Sequence, residues 1–490
     1  MKTAASLGLL ILAGLLAGPA RAAFVFSTGD LVVSVEGNGV EGATGTYTDN
    51  QAAPLSLFEF SHSGTSSAAY VNSLVLPQTS SGANFAVSGE YGSSSEGILQ
   101  LSSAGDALTI MGYGVNAAAF NASPTDFGTL TTDPSKSTAL GQSGSLKGQG
   151  YTAVPRVVAV IGQNGSVNSS TALYGVFNGN NPRSAYLVNG KGIYVSGQGN
   201  SPDATGGVFY TTLGSHSATP VTGLDTTGKT FAQDTRVVEV YNNQLYVSVD
   251  SKEGSGSARD FIGTLGASGS LPTTAANDGN GPTELAGFGN SGGTGKVTVT
   301  AGMANGINAV GEQINLSPED YFFANATTLY VADSGNPKNN SATSSLGDGG
   351  LQKWVDVGST TGVGGTWTLE YTLSSGLNLV ANSAAAGTTG LFGLTGKVVG
   401  GEVELFATNA TIGDTDPTFL YGISDALSAT TRPSDESFTL LATAPADSNF
   451  KGVSFAPVPE PSLWALMLVG VGAVGGAARR RGRDQRVTAL

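Results

Sequence analysis

The chain has 490 residues, of which 72 are glycine and none is cysteine. The lack of cysteine excludes disulfides, a thiolate nucleophile and any zinc site built on cysteine ligands. The net charge is −14, and residues 24 to 457 contain 15 Lys or Arg against 34 Asp or Glu, a difference of −19. This acidic balance predicts no nucleic-acid partner, because nucleic-acid binding depends on neutralising phosphates with Lys and Arg.

The N-terminal residues have the three parts of a secretory signal peptide. Lys2 supplies the positive charge, residues 7–17 the apolar run, and Pro19-Ala20-Arg21-Ala22 the small residues that a signal peptidase requires. We therefore expect a signal peptide over residues 1–22, cleaved between Ala22 and Ala23. A buried N-terminal helix is the alternative, but the run is too short to span a membrane and ends at Gly18-Pro19.

The C-terminal residues also divide into three parts. Val458-Pro459-Glu460-Pro461 precedes an apolar stretch over residues 463–478, and the basic residues Arg479, Arg480, Arg481 and Arg483 follow it. At ~1.5 Å per residue this stretch covers about 24 Å, slightly less than a hydrocarbon core of about 30 Å. With Trp464 at one interface, we expect a transmembrane helix over 463–478 in the inner membrane, and the positive-inside rule makes the arginine cluster cytoplasmic.

This tripartite end resembles the PEP-CTERM sorting signal of Gram-negative bacteria, in Val458-Pro459-Glu460-Pro461, in the apolar helix and in the arginine cluster. The resemblance implies processing by an exosortase-like enzyme, often in species that make exopolysaccharide. It also implies sorting to the cell envelope, cell surface or extracellular matrix. An ordinary tail anchor with an incidental Pro-Glu-Pro is the alternative. Both readings divide the chain into a signal peptide (1–22), an ectodomain outside the cytoplasm (23–457) and a C-terminal sorting signal (458–490).

The ectodomain contains short apolar or alternating runs separated by glycine-rich turns, which indicate β-strands. One run recurs six times, at Leu31–Ser34, Leu108–Met111, Ile193–Ser196, Leu245–Ser248, Leu329–Ala332 and Val403–Ala407. Further strands are predicted before and after these runs, with outer fourth strands at 172–176, 271–274, 367–373 and 438–443. Four antiparallel strands per repeat predict an all-β fold, a β-propeller of about six four-stranded blades.

The first repeat is incomplete. Only two predicted strands follow it, at residues 55–60 and 74–76, and none precedes it. An unassigned strand remains at the far end of the domain, Gly452–Phe455. We predict that this C-terminal strand closes the ring by joining the three N-terminal strands in one blade. A seven-bladed ring, in which residues 296–300 start another blade, and a right-handed β-helix are the alternatives.

The ectodomain also resembles repeat-containing propeller proteins that carry PEP-CTERM tails. The motifs that carry this resemblance lie at residues 95–99, 181–184, 328–333, 349–354 and 393–396. The resemblance spans most of residues 31–457 and implies no known activity.

Residues with obvious catalytic chemistry are few, and no catalytic residue is predicted. His62 and His216 lie in Ser- and Gly-rich segments that we interpret as exposed turns. Asp333, Arg183 and Glu96 each flank a predicted strand, within reach of the channel or its mouth. A surface salt bridge or a turn cap is the alternative role for these three.

Two oxygen-rich segments are candidate calcium loops, which makes calcium the one candidate cofactor. One contains Asp278 and Asn280, and the other contains Asp414 and Asp416. Neither has the acidic spacing of an EF-hand, and ordinary turn chemistry is the alternative.

These features predict an exported protein whose propeller is a non-catalytic binding or structural module, with exopolysaccharide as a candidate partner. A secreted calcium-dependent hydrolase or lyase is the alternative, and it requires carboxylates that converge on one mouth of the channel. A sugar or peptide receptor would place exposed aromatic rings there. We interpret Trp354 and Trp367 instead as strand residues packed between blades.

Overall fold

The fold is described from a computed structural model. It describes residues 24–38, 47–129, 137–200, 204–222, 234–249, 260–275, 281–288, 296–304, 308–335, 346, 348–361, 364–381 and 383–458. Four predicted features lie outside these residues. They are the signal peptide with its cleavage site at Ala22 and Ala23, the motif residues Pro459, Glu460 and Pro461, the transmembrane helix over 463–478 and the basic cluster at 479–483. Among the described helices, none has the length and apolar character to cross a membrane.

The regular secondary structure of the described residues is almost entirely β-strand. The strands are β1 (Leu31–Gly37), β2 (Ala52–Ser63), β3 (Ser67–Val75), β4 (Ser88–Glu90), β5 (Leu99–Leu101), β6 (Ala107–Tyr113), β7 (Arg156–Gly162), β8 (Val167–Leu173), β9 (Pro182–Val188), β10 (Gly192–Gly197), β11 (Gly207–Thr212), β12 (Thr219–Pro220), β13 (Thr235–Tyr241), β14 (Gln244–Val249), β15 (Phe261–Leu265), β16 (Thr283–Glu284), β17 (Lys296–Thr298), β18 (Gln313–Asn315), β19 (Pro318–Asn325), β20 (Thr328–Asp333), β21 (Gly350–Val357), β22 (Thr366–Leu373), β23 (Thr388–Val399), β24 (Glu402–Thr411), β25 (Phe419–Ala426), β26 (Thr439–Thr443) and β27 (Ser448–Phe455). A short helix, α1 (Ala117–Ala122), and a 3₁₀ turn (Pro124–Phe127) follow β6.

The sheets have the arrangement of propeller blades. Four separate four-stranded sheets comprise β9 to β12, β13 to β16, β19 to β22 and β23 to β26, and within each sheet the strands pair in chain order. The paired strands are antiparallel. Hairpin-linked antiparallel sheets that repeat around an axis are the blades of a propeller.

The remaining blade strands form one nine-stranded sheet, so the prediction of about six separate blades is wrong. The joining strand is β4, which pairs with the start of β2 at Ala52 and with the end of β6 at Tyr113. The close approach to β6 requires a glycine at 112, because a Cβ there would lie 2.7 Å from the carbonyl oxygen of Ser88. The sequence predicted no strand at β4, since three polar and small residues have no alternating pattern.

The innermost strands form a closed ring. In order around the axis, β5, β9, β13, β19, β23 and β27 each contact the next, and β27 returns to β5. The last described strand, β27, pairs antiparallel with the first, β1, and Leu31 lies opposite Phe455. The predicted closure by a C-terminal strand is therefore confirmed.

Two other strand predictions are corrected by the structure. Residues 271–274 are not a strand, and the outer strand of that sheet is β16. Pro272 lies in this segment and has no N–H to donate to a sheet ladder. Residues 296–298 pair with β18 in a two-stranded hairpin, which does not make the additional four-stranded blade of the seven-bladed alternative.

Apolar side chains fill the spaces between the sheets. Trp354 on β21 is 1% exposed, and its ring stacks on that of Phe288 with centroids 4.0 Å apart. Trp367 on β22 is buried in the same hydrophobic cluster. Both tryptophans are therefore strand residues packed in the core, as predicted.

The closing strand provides a direct test of the ring. Gly452 on β27 faces the inner strand β5, and a Cβ at this position would lie 2.2 Å from the backbone nitrogen of Leu99. Gly452→Ala therefore forces β27 away from β5, and we expect a loss of about 1–3 kcal/mol in the free energy of unfolding. Gly302→Ala is the control, because a Cβ there meets no atom closer than 3.9 Å. Equal melting temperatures for the two variants in differential scanning calorimetry would contradict the role assigned to this contact.

Candidate functional site

The principal candidate site is a cavity of about 380 Å³ at the axis of the propeller, which we call the central cavity. Its charged lining residues come from several sheets and are Glu90, Arg183, Asp234, Arg236, Glu319, Asp414 and Lys451. Its uncharged lining is rich in amides and hydroxyls, among them Ser94, Ser95, Gln142, Asn180, Asn181, Gln198 and Asn409. Because the inner strands form a ring, residues that are far apart in the chain meet around one space.

Ion pairs neutralise the arginines on one side of the central cavity. Arg183 on β9 pairs with Asp234, and its Nη2 donates to Oε1 of Gln198 at 3.1 Å. Arg236 on β13 has its Nη1 at 3.1 Å from Oε2 of Glu319. Arg183 was predicted to lie within reach of the channel, and it lines the central cavity.

Three buried glutamates line the central cavity or contact one of its lining residues. Glu96 accepts hydrogen bonds from the Tyr113 hydroxyl and from the Asn181 amide, and Glu90 accepts one from the backbone N–H of Gly141. Glu36 on β1 has Lys451 as its ion-pair partner, with 3.6 Å between Oε2 and Nζ. Lys451 also donates to the carbonyl oxygen of Ser93, so β27 reaches both β1 and the segment before β5 through this one side chain.

Burial changes the acidity of these glutamates. Loss of solvation raises the pKa of Glu36 to about 8, against the opposing effect of Lys451. Burial, reinforced by the charge of Glu96, raises the pKa of Glu90 well above its ordinary value. Burial also raises the pKa of Glu96, although its hydrogen bonds from Tyr113 and Asn181 oppose the change. These carboxyl groups therefore retain protons at a pH where exposed glutamates are ionised.

Two of the three charged residues singled out in the sequence do not line the central cavity. Glu96 is 2% exposed and binds Tyr113 and Asn181 behind the cavity wall. Asp333 is fully buried, and its Oδ2 accepts from the Ser317 N–H at 2.8 Å and from Gln352 at 2.8 Å. Asp333 has the alternative role of a turn cap, because its Oδ1 accepts a hydrogen bond from the Gly335 N–H.

The two histidines also lie away from the central cavity. His62 is half-buried at the end of β2, and its ring nitrogens lie 2.9 Å from the carbonyl oxygens of Gly64 and Gly29. The prediction of an exposed turn is wrong for His62, because β2 continues to Ser63. His216 is exposed and contacts the Phe85 ring, with centroids 5.6 Å apart.

The calcium candidates separate in the structure. Asp278 and Asn280 lie outside the described residues. Asp414 lines the central cavity, whereas Asp416 accepts hydrogen bonds from the N–H groups of Gly387 and Gly413 at 3.0 and 2.9 Å. Asp416 thus has the turn role that the sequence left open. Within the described ranges, no group of three or more His, Asp or Glu side chains is arranged to hold a metal ion.

A surface groove of about 650 Å³ adjoins the cavity, and we call it the tyrosine groove. Its lining includes Tyr47, Tyr91, Asp49 and Asp447. The Tyr47 and Tyr91 ring centroids are 5.8 Å apart. Gly92 lies between the groove and the central cavity, because a Cβ there would lie 2.6 Å from Oδ1 of the groove residue Asp49 and 3.1 Å from the carbonyl oxygen of the cavity residue Asp414.

Sequence reasoning missed most of the cavity lining. Among the lining residues, Glu90, Asp234, Arg236, Glu319 and Lys451 belong to no motif. Several of them lie on or beside the innermost strand of a sheet: Asp234 precedes β13, Glu319 is in β19 and Lys451 is in β27. The sequence signal that could have identified these lining residues was therefore a polar residue in or beside an innermost strand.

The raised pKa of Glu36 predicts how stability depends on pH. The folded chain holds this proton up to about pH 8, whereas the unfolded chain releases it near pH 4.5, so the stabilising effect is complete below pH 4.5 and is lost as the pH rises through 8. We expect Glu36→Gln to remove this dependence and to be more stable than the wild type at pH 8.5, by on the order of 1–4 kcal/mol. Urea denaturation at pH 5 and pH 8.5 measures the difference.

The exposed residue Glu402 supplies the matched control, as Glu402→Gln. This variant should follow the wild type at both pH values. A constant offset between Glu36→Gln and the wild type across the range would show that Glu36 is not the group that titrates.

Comparison with known proteins finds one sequence motif and distant structural similarities. Residues 457–481 match the PEP-CTERM protein-sorting motif, and no curated protein matches the chain. Apo AztD from Citrobacter koseri is similar at a TM-score of 0.27 and 9% identity, covering 88% of this chain and 100% of that one. CoXyl43, a GH43 beta-xylosidase/alpha-arabinofuranosidase from a compost microbial metagenome, gives a TM-score of 0.29 at 10% identity, covering 71% and 96%.

The β-propeller domain of the Trilobed protease from Pyrococcus furiosus gives a TM-score of 0.23 at 8% identity, covering 79% of this chain and 97% of that one. At such TM-scores and identities, these similarities support no conclusion about the site. The matched motif, in contrast, indicates export, processing by an exosortase-type enzyme and sorting to the cell envelope or surface. This chain therefore carries a PEP-CTERM sorting motif at residues 457–481, directly after an all-β, propeller-like domain.

Proposed function

We propose that this protein is delivered to the cell surface or the extracellular matrix, where its propeller acts as a non-catalytic binding or structural module. Exopolysaccharide is the proposed partner. Export would use the signal peptide over residues 1–22, and an exosortase-type enzyme would process the chain at the PEP-CTERM motif. Before processing, the helix over 463–478 would hold the chain in the inner membrane, with the arginine cluster on the cytoplasmic side.

The observation that supports this proposal is the position of the motif relative to the closing strand. The strand β27 ends at Phe455, and the matched motif begins at residue 457. The N–H of Ala456 donates to the carbonyl oxygen of Asp30 at 2.8 Å, and that of Val458 donates to Gly105 at 2.8 Å. Cleavage beyond Val458 would remove the sorting signal and leave the closed ring intact.

The chemistry of the central cavity favours binding over catalysis. Its arginines are held in ion pairs with Asp234 and Glu319. Glu96, which lies behind the wall, is already hydrogen-bonded to Tyr113 and Asn181. A general acid or base must be within reach of its substrate proton, and groups fixed by such internal partners are less available for that role.

A calcium-dependent hydrolase or lyase is the second candidate, and Glu90 is the observation that favours it. This residue lines the central cavity, and burial raises its pKa well above the ordinary range, as a general acid at neutral pH requires. If the protein is such a hydrolase, 4-nitrophenyl glycosides should be cleaved in the presence of calcium, and Glu90→Gln should lower the rate by at least about 100-fold. If the wild type releases no 4-nitrophenol with or without calcium, the binding function is favoured.

The sorting proposal is tested by removing the C-terminal signal. In a Gram-negative host with an exosortase, we expect the wild type to appear in the envelope in a shortened form. Deletion of residues 458–490 should instead release a folded, soluble propeller into the periplasm or medium, because no membrane segment remains. Cell fractionation and intact-mass measurement report both outcomes.

A pair of point variants provides the control for this experiment. Glu460→Ala lies in the matched motif and should abolish shortening, whereas Asp484→Ala lies beyond residue 481 and should leave it unchanged. Retention of the deletion variant in the inner membrane would contradict the proposed topology.

A further inference from the structure

We propose that the central cavity binds a neutral saccharide through side-chain amides and hydroxyls that have no hydrogen-bond partner within the described chain. The inference rests on the proposed role as a binding module and specifies its ligand class and its site. It is carried by the charge balance of the cavity, by its unused hydrogen-bonding groups, by its size and by the groove next to it.

The arginines that line the central cavity are balanced by carboxylates of the same chain, and Lys451 donates to the carbonyl oxygen of Ser93. Arg183 pairs with Asp234, and Arg236 lies 3.1 Å from Glu319. Lys451 is directed to Glu36, at 3.6 Å. A phosphate or carboxylate ligand would have to displace one of these buried partners, which leaves a charge unpaired at high cost. The cavity is therefore matched to an uncharged ligand.

Hydrogen-bonding capacity remains on one set of neutral lining residues. Five polar groups have no hydrogen-bond partner among the described residues. They are the Gln142 side-chain amide, Nδ2 of Asn180, Nε2 of Gln198 and the hydroxyls of Ser94 and Ser95. All five side chains are half-buried, so they are accessible from the cavity. Amides and hydroxyls together offer both donors and acceptors. The hydroxyl groups of a sugar, which also donate and accept, are complementary to this set.

The dimensions fit a small saccharide. A volume of about 380 Å³ lies at the lower end of the range of ~300–1,000 Å³ for small-molecule sites. The ligand is therefore a mono- or disaccharide unit, or the end of a longer chain whose other residues lie outside the cavity.

The tyrosine groove provides a place for the rest of such a chain. Tyr47 is half-buried there, and its ring is the partly accessible aromatic face beside Tyr91, which is 5% exposed. Aromatic rings offer flat apolar surfaces on which the apolar face of a sugar packs. Because Gly92 lies between lining residues of both spaces, we place the remaining units of a longer saccharide along this groove.

The test is isothermal titration calorimetry on the full exported protein, purified in detergent. The neutral probes are cellobiose, maltose, xylobiose and N,N′-diacetylchitobiose, and digalacturonic acid is the charged comparison. We expect at least one neutral disaccharide to bind more tightly than digalacturonic acid. The double variant Gln142→Ala/Asn180→Ala should weaken that binding by about tenfold or more, since two hydrogen bonds are lost.

Two further variants separate the cavity from the groove and from general effects. Gln313→Ala removes an exposed amide on β18 and should leave binding unchanged. Tyr47→Ala should weaken binding of the matching tetrasaccharide and leave the disaccharide affinity within about twofold. Melting temperatures equal to that of the wild type establish that the variants are folded.

The proposal is overturned if no neutral probe binds, if digalacturonic acid binds more tightly, or if the double variant binds like the wild type. These outcomes are independent of the sorting experiment, because binding is measured on purified protein. Failure of the chain to be shortened in cells would contradict the sorting proposal and leave the saccharide site standing. Normal sorting without sugar binding would contradict the saccharide site alone.

Discussion

The structure depends on the pairing of β27 with β1, the contact that joins the two ends of the domain. A propeller ring without this contact would leave the edges of β1 and β5 open, and exposed strand edges promote association with other chains. The hydrogen bonds at this seam involve inner-strand atoms, such as the Gly452 N–H, which donates to the Ser34 hydroxyl at 2.8 Å and to the Gly97 carbonyl at 3.0 Å. Because Gly452 has no side chain, β27 can lie this close to β5.

Closure also places charged groups where water is largely excluded. Lys451 enters the seam on β27 and meets Glu36 on β1, with Glu96 near enough to raise the pKa of Glu36 further. Burial keeps Glu36 protonated up to about pH 8, so this contact becomes an ion pair only above that pH, and desolvation of the two charges then offsets their attraction. Lys451 also lines the central cavity, so the element that closes the fold contributes to the proposed binding site.

The order of the chain links this closure to sorting. The strand that completes the ring ends at Phe455, and the PEP-CTERM motif begins at residue 457. Backbone hydrogen bonds hold Ala456 and Val458 against Asp30 and Gly105, so the chain leaves the domain at a fixed point. The proposed signal can therefore be removed without opening the ring, and the domain that remains keeps both its cavity and its groove.

The sequence predicted the strands better than it predicted the candidate site. The strong alternating runs, such as Leu245–Ser248 and Leu329–Ala332, were found as strands because their side chains point alternately to two packed faces. Short strands without such a pattern, β4 and β16, were missed because tertiary pairing defines them. The joining of two strand sets by β4 was missed for the same reason, and it changed the number of separate sheets.

By itself, the sequence determined the features that are read locally: the strand-rich composition, the C-terminal sorting motif and the strand that closes the ring. Only the tertiary structure decided which polar residues share a site. Asp234, Glu319 and Lys451 are far apart in the chain and have no motif, yet the ring places them around one cavity. Local patterns reflect hydrogen bonding and burial along one strand, whereas convergence around an axis depends on how the sheets are arranged in space. That arrangement is set by packing between the sheets and by the pairing of the chain's two ends.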